Sequence, residues 1–333
     1  MNSGEFDIIQ RYFTDISKRA PRKDVIISVG DDCAVAELQR NQRLAITTDT
    51  LVENVHFFSD ISAADLAYKS VASNLSDLAA MGAEPAWISL ALTLPEVNHQ
   101  WLSEFSQSFF DILDYYNVDL IGGDTTKGPL SITITAHGIL SKGKALCRHS
   151  AKVGDWIYVS GSIGDSAGGL ALLKRGKSKS AVNFDEEFLI QRHLRPTPRV
   201  LLGLELSISM LANAAVDISD GFVADLSHIL TKSGCGAVVN LENLPLSPQL
   251  CNVFGREQAE QFALNGGEDY ELCFTVPDSH KAKLEKALTH IGVAYTCVGQ
   301  VRAVNPYNGG RIQFRRNGQA VEVGNTAGFD HFK

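Results

Sequence analysis

Along this chain, carboxylates sit beside glycines and hydroxyls wherever an apolar run ends: Gly30-Asp31-Asp32, Thr47-Thr48-Asp49, Ser76-Asp77, Gly122-Gly123-Asp124, Asp217-Ile218-Ser219-Asp220-Gly221 and Gly266-Gly267-Glu268-Asp269. Glycine lets the backbone turn tightly, so the pattern predicts strands and helices joined by acidic loops. Carboxylates gathered into one place repel each other and take up protons unless something neutralises them. A hard cation such as Mg²⁺ takes oxygen ligands and usually shares them with phosphate. Several such ions, and nucleotide chemistry, are the first expectation.

A chain of 333 residues exceeds one ordinary core, so two domains are expected. The net charge of −8 and a sequence pI of about 5.6 argue against a nucleic-acid surface. The six cysteines (33, 147, 235, 251, 273 and 297) form no Cys-x-x-Cys pair, which argues against a zinc site or disulfide framework and fits a reducing compartment. The first residues carry no basic and apolar leader pattern, and no apolar stretch reaches spanning length. The expectation is a cytoplasmic protein with no membrane partner.

Apolar spacing predicts helices over 5–18, 63–81, 99–116, 167–174 and 222–233, and one opened by Pro196 and Pro198 that runs to about 210. Short strands are expected over 44–48, 87–94, 118–121, 132–140, 155–160, 214–218 and 272–276, with a surface loop over 176–183 and a hairpin from Gly309. A basic, glycine-bearing link at 148–154 divides the chain into domains 1–150 and 151–333. The class is α/β or α+β, two sheets covered by helices.

Each acidic segment has a plain alternative. Gly30-Asp31-Asp32 is an ordinary turn composition. Gly122-Gly123-Asp124-Thr125-Thr126 either lets a phosphate approach the backbone or turns a hairpin. Asp220 is either an ion ligand or the N-cap of the following helix. Lys69, Ser73 and Asp77, flanked by Ser70 and Asn74, make one polar stripe on a small, apolar helix. That stripe is either the water face or points at a site. Arg148 is either a fork for phosphate or a surface arginine at the link. Gly176-Lys177-Ser178 lacks the earlier glycine of a P-loop, where Ala171 stands. Gly161-Ser162-Ile163-Gly164-Asp165-Ser166 lacks Gly-x-Gly-x-x-Gly spacing and offers only a weak helix-N-terminal phosphate site.

The order and spacing of these segments, with Asn54-Val55-His56-Phe57, Asn74-Leu75-Ser76-Asp77-Leu78-Ala79-Ala80-Met81-Gly82-Ala83 and Gly266-Gly267-Glu268-Asp269-Tyr270-Glu271-Leu272, resemble the thiamine-monophosphate kinase family. Its superfamily includes aminoimidazole ribonucleotide synthetase and selenophosphate synthetase. The likeness runs from Gly4 to Phe332. It implies a homodimer whose N-terminal sheets pair into a barrel flanked by helices, with ATP beside the N-terminal domain and a C-terminal α/β domain of mixed sheet closing over it. It implies direct transfer of the ATP γ-phosphoryl to thiamine monophosphate. Carried over by position, Asp32, Thr47, Thr48, Asp49, Asp77, Asp124, Asp217 and Asp220 resemble the Mg²⁺ ligands. Tyr116, Gly123, Asp124, Arg148 and Ser219 correspond to ATP contacts, and His56, Glu268 and Phe329 to the thiamine site. Asp49, Asp77, Asp124 and Arg148 are then the catalytic set. A monovalent cation is a further ion that the resemblance admits. Phenylalanine at 329 keeps a stacking face without a polar tip.

The alternatives are a superfamily enzyme with another acceptor and a non-enzymatic divalent-cation protein. Selenophosphate synthetase would want a reactive cysteine in a glycine-rich N-terminal segment, whereas the first cysteine here is Cys33. No contiguous EF-hand pattern supports a calcium-binding protein.

Overall fold

The structure is a computed structural model that describes residues 4–16, 22–177, 183–304 and 311–324. The chain divides into two units: residues up to Gly143 form the first, and residues from Lys144 the second, with Ala79–Gly82 grouped with the second.

In the first unit, α1 (Glu5–Ile9) runs into a π-helical turn over Gln10–Thr14. This replaces part of the single predicted helix, and positions 17–21 lie outside the described residues. Then come β1 (Val25–Ile27), β2 (Val35–Ala36), β3 (Gln42–Val52), α2 (Ala63–Ala80), β4 (Glu84–Leu94), α3 (His99–Tyr116), β5 (Asp119–Lys127) and β6 (Ser131–Ser141). β1 and β2 pair by themselves, and the main sheet has the order β3-β6-β4-β5. It is a mixed sheet with two edges: β4 and β5 are parallel, and the other pairs are antiparallel.

Alternation gives the sheet two unlike faces. Ile132, Ile134 and Ala136 of β6 are buried, in register with Leu92, Leu90 and Ile88 of β4. A Cβ on Gly138, which shares that face, would meet Leu78 of α2 at 3.0 Å. α2 therefore covers this side. On the other side Ile46 is 60% exposed and Leu44 39%.

The sequence reading made two strands too short. Asp49 stands inside β3, and Gly122-Gly123-Asp124 lie within β5. Neither segment is a loop after a strand, and the second is not a hairpin turn. Strand pairing extends past the apolar stretch because β3 and β6 stay in register over their full eleven residues, so threonines and a carboxylate are carried inside the ladder.

The second unit contains β7 (Trp156–Ser160), α4 (Asp165–Lys174), α5 (Phe184–Leu194), α6 (Val200–Ile208), β8 (Ala214–Asp217), α7 (Phe222–Ser233), β9 (Gly236–Asn240), α8 (Pro248–Phe254), α9 (Arg256–Asn265), β10 (Leu272–Val276), α10 (Lys281–Leu288), β11 (Tyr295–Arg302), β12 (Ile312–Arg316) and β13 (Gln319–Val321). α6 begins after both prolines, since the residue before a proline is pushed out of the helical region. Positions 178–182 of the predicted surface loop lie outside the described residues. The seven-stranded sheet runs β13-β12-β9-β11-β7-β10-β8 and is antiparallel except for β12 with β9. Its core joins Ile157, Val159, Val216, Phe222, Leu226, Val239, Cys273 and Val298. This arrangement leaves Asp217 at the end of β8, an edge strand, opposite Leu272 of β10.

Candidate active site

In the first unit, Thr47 and Asp49 point to the helix side of the sheet: Thr47 is in register with Ala136, and Asp49 with Ile134. The Thr47 hydroxyl donates to the Asp77 carboxylate of α2 in a short hydrogen bond. The polar stripe of α2 is not a water face, because Lys69, Ser70, Ser73, Asn74 and Ser76 are all buried. Thr48 points the other way, its hydroxyl 3.0 Å from that of Thr135. Asp124 joins it on that side, since it lines up with Ala91, Thr133 and Thr50. The fold thus brings Thr47, Asp49 and Asp77 to one face and leaves Thr48 and Asp124 on the opposite one. Asp32 is exposed, in a turn where its backbone N–H donates to the Asp31 carboxylate at 2.9 Å.

Gly123 has φ +155°, and a Cβ there would lie 1.8 Å from the Leu90 carbonyl oxygen. Sheet pairing alone demands glycine at 123. His56 is half-buried, and its Nδ1 accepts the Val52 N–H at 3.0 Å, which leaves Nε2 to carry the proton of a neutral ring. Tyr116 ends α3 and meets Tyr115 edge-on at 4.8 Å between ring centres.

In the second unit, the loops 217–221 and 266–271 pack backbone to backbone. Ser219 O accepts from Glu268 N at 2.8 Å, Ile218 O from Tyr270 N at 2.9 Å, and Glu271 O from Ile218 N at 2.8 Å. A Cβ on Gly267 would sit 2.3 Å from Ser219 O, so only glycine permits this approach. Glu268 and Tyr270 hold φ of +65° and +52°. Left-handed backbone in non-glycine residues is costly and marks an over-determined segment. Asp217 is buried, while Ser219 and Asp220 are half-buried. Arg148 is exposed at the start of a single 3₁₀ turn, Arg148–Ser150. That turn is tied to α7 by the Ser233 hydroxyl, which donates to Arg148 O at 2.9 Å. Phe329 lies outside the described residues.

Sequence reasoning missed Asp225. Its carboxylate accepts the N–H groups of Ser219 and Asp220, each at 3.0 Å. Burial pushes the Asp225 carboxyl up to about 7, with the charge of Asp220 adding to the rise and Arg148 opposing it. Asp220 is not the helix cap, since Gly221 occupies that position. An acidic residue in the first turn of a helix, four past Gly221, was the available signal. The weak phosphate site at the start of α4 is filled by protein: Asp269 accepts Gly164 N at 2.6 Å and Ser166 N at 3.0 Å.

Among the described residues no group of three or more His, Cys, Asp or Glu side chains could hold a metal ion by itself. The donors are nonetheless hard oxygens, with Thr47 and Asp77 in contact and Asp49 on the same face. That set fits Mg²⁺, which is commonly held by one or two carboxylates with water and substrate phosphate rather than by an all-protein cage.

Two family descriptions match. AIR synthase related protein, N-terminal domain, covers residues 30–140, and AIR synthase related protein, C-terminal domain, covers 152–308. The thiamine-monophosphate kinase of Haemophilus influenzae is 54% identical over all of this chain and 99% of that protein. The Escherichia coli K12 protein of that name is 52% identical over all of this chain and 99% of its own length. Among solved structures, thiamine-monophosphate kinase from Stenotrophomonas maltophilia superposes with a TM-score of 0.82 at 43% identity, covering 90% of this chain and 93% of that one. AaThiL complexed with AMPPCP and TMP superposes with a TM-score of 0.75 at 33% identity, covering 92% of each chain. The chain belongs to the thiamine-monophosphate kinase family, within the AIR synthase related proteins.

Proposed function

We propose that this protein transfers the γ-phosphoryl group of ATP to the phosphate of thiamine monophosphate, forming thiamine diphosphate and ADP. The observation that carries this reading is the likeness, over 92% of each chain, to a relative solved in complex with AMPPCP and TMP. Both reactants are phosphates and repel each other. The acceptor oxygen is already ionised near neutral pH, because the second pKa of a phosphate monoester is about 6. No strong general base is needed, and the chain's task is positioning and charge neutralisation.

Arg148, exposed and anchored at its carbonyl by Ser233, supplies a fork for triphosphate oxygens. Asp225 engages the backbone N–H of Ser219, so Ser219 offers its hydroxyl to the nucleotide. Tyr116 and Gly123 complete the ATP contacts. When bound, Mg²⁺ ions would neutralise the phosphates; Thr47, Asp49 and Asp77, which share one face, would hold one, and Asp32, Thr48, Asp124, Asp217 and Asp220 are assigned to further ions by their positions in the family. Asp49, Asp77, Asp124 and Arg148 are those on which turnover depends most. With Nδ1 accepting from Val52 N–H, His56 would offer its Nε2–H to the thiamine monophosphate. The Glu268 carboxylate suits the cationic, amine-bearing rings of thiamine, and Phe329 supplies a stacking face.

The open face of the N-terminal sheet, with Leu44 and Ile46 exposed, is the surface through which two copies pair into a barrel. No described helix is long and apolar enough to cross a membrane; a cytoplasmic location is proposed from the reaction's use of ATP. The test is incubation with ATP, Mg²⁺ and thiamine monophosphate, followed by chromatography. Thiamine diphosphate is expected, and thiamine itself should remain unphosphorylated because it lacks the acceptor phosphate. A chain that yields no thiamine diphosphate does not have this function.

A further inference from the structure

The loop 266–271 sends its three acidic side chains to different places. Glu268 keeps 27% of its side-chain surface exposed. Asp269 is 1% exposed and Glu271 wholly buried. The Asp269 carboxyl group receives two backbone N–H groups at the start of α4, from its N-cap Gly164 and from Ser166. Glu271 is held from three directions: the Ser160 hydroxyl at 2.6 Å, Arg192 at 2.8 Å, and Arg199 through Nε at 2.6 Å and Nη2 at 2.5 Å. The two left-handed residues, Glu268 and Tyr270, directly flank Asp269. One side chain also leads back to Glu268: His193 Nδ1 lies 3.0 Å from the Ser166 hydroxyl and 3.5 Å from Glu268 Oε2. Ser166 is the residue whose N–H Asp269 receives.

Burying two carboxyl groups this closely is costly even when they are hydrogen-bonded, and two left-handed residues add strain. An ordinary turn needs neither. We infer that Asp269 and Glu271 are positioning residues for Glu268, clamping the loop in the strained path that turns the Glu268 carboxylate outward. This deepens the proposed function and rests on its assignment of Glu268 to the thiamine monophosphate site. Neither buried carboxylate reaches substrate. Each acts through the backbone it fixes, and Asp269 also through Ser166 and His193.

The test is a double-variant cycle on the full chain, reading KM for thiamine monophosphate, KM for ATP and kcat. Asp269→Asn keeps the shape of the side chain and one acceptor oxygen. It should raise KM for thiamine monophosphate roughly 10- to 100-fold, the scale of a small misplacement, with KM for ATP unchanged. In a Glu268→Ala background the same change should have no further effect on that KM, because there is no carboxylate left to position. Glu271→Gln should behave alike and takes the place of Asp269→Asn if that variant does not melt cooperatively. A rise in KM for ATP, an effect that persists without Glu268, or loss of folding in both variants would show the cluster supporting the domain rather than the loop, and would overturn the inference. If Glu268→Ala leaves KM for thiamine monophosphate unchanged while the wild type still forms thiamine diphosphate, the inference falls and the proposed function stands. If the wild type forms none, both fall.

Discussion

Asp49 and Asp77 reach the same side of the N-terminal sheet from a strand and a helix distant in sequence. Asp49→Ala should lower kcat by about 100-fold or more, the scale of removing a preorganised electrostatic contact, with a thermal midpoint close to wild type. Unchanged steady-state kinetics in a folded variant would remove Asp49 from the ion-binding set. Asp269 gives a prediction about pH. Burial foremost, then the neighbouring charge of Asp165, pushes its carboxyl up to about 8. The unfolded chain loses that proton near 4 (about 3.9), so between these values the native state holds the extra proton. Its contribution to stability is full below pH 4 and is lost as pH rises toward 8. The melting midpoint of Asp269→Asn should therefore depend less on pH than that of the wild type between pH 5 and 8, and parallel curves would refute the shift. At this scale the acidic segments were visible in the sequence because glycine and hydroxyl neighbours mark them, though two of them lie within strands. Asp225 was not, because its role is to receive N–H groups from residues earlier in the chain, and a single sequence does not display such a bond. The contacts of Asp269 with α4 were hidden for the same reason, spanning more than a hundred positions.

Helices α3 and α7 were read to the residue because each has a strong apolar face and ends in a left-handed cap, Asn117 and Gly234. Strands β3 and β5 were read short because the apolar signal stops before the pairing does. Register is a property of the partner strand, and β6 continues to accept Thr48, Asp49 and Thr50. Two adjacent glycines in β5 differ in the room they leave for a side chain. Gly123→Ala should destabilise the protein by about 3 kcal/mol or more, from left-handed strain and overpacking against the Leu90 carbonyl. Gly122→Ala should fold, because nothing lies within 4 Å of the added Cβ. Paired thermal melts check this, and an unperturbed Gly123→Ala would show that β4 and β5 can part without cost.

The whole molecule carries two α/β units, and a sheet covered by helices was legible in each from the alternation of apolar periods. A partner for the open sheet face is not displayed by one chain, which leaves Leu44 and Ile46 exposed. A charge at that face should oppose pairing of two copies: Ile46→Glu is expected to sediment as a monomer where the wild type sediments as a dimer. Equal sedimentation of the two as dimers would place the interface elsewhere. Above oligomeric state stands the reaction itself, and the most direct measurement follows the γ-phosphoryl group of labelled ATP during incubation with Mg²⁺ and thiamine monophosphate. The label is predicted to move into thiamine diphosphate, with one ADP formed for each. Label that stays in ATP, or that leaves only as inorganic phosphate, would contradict the account.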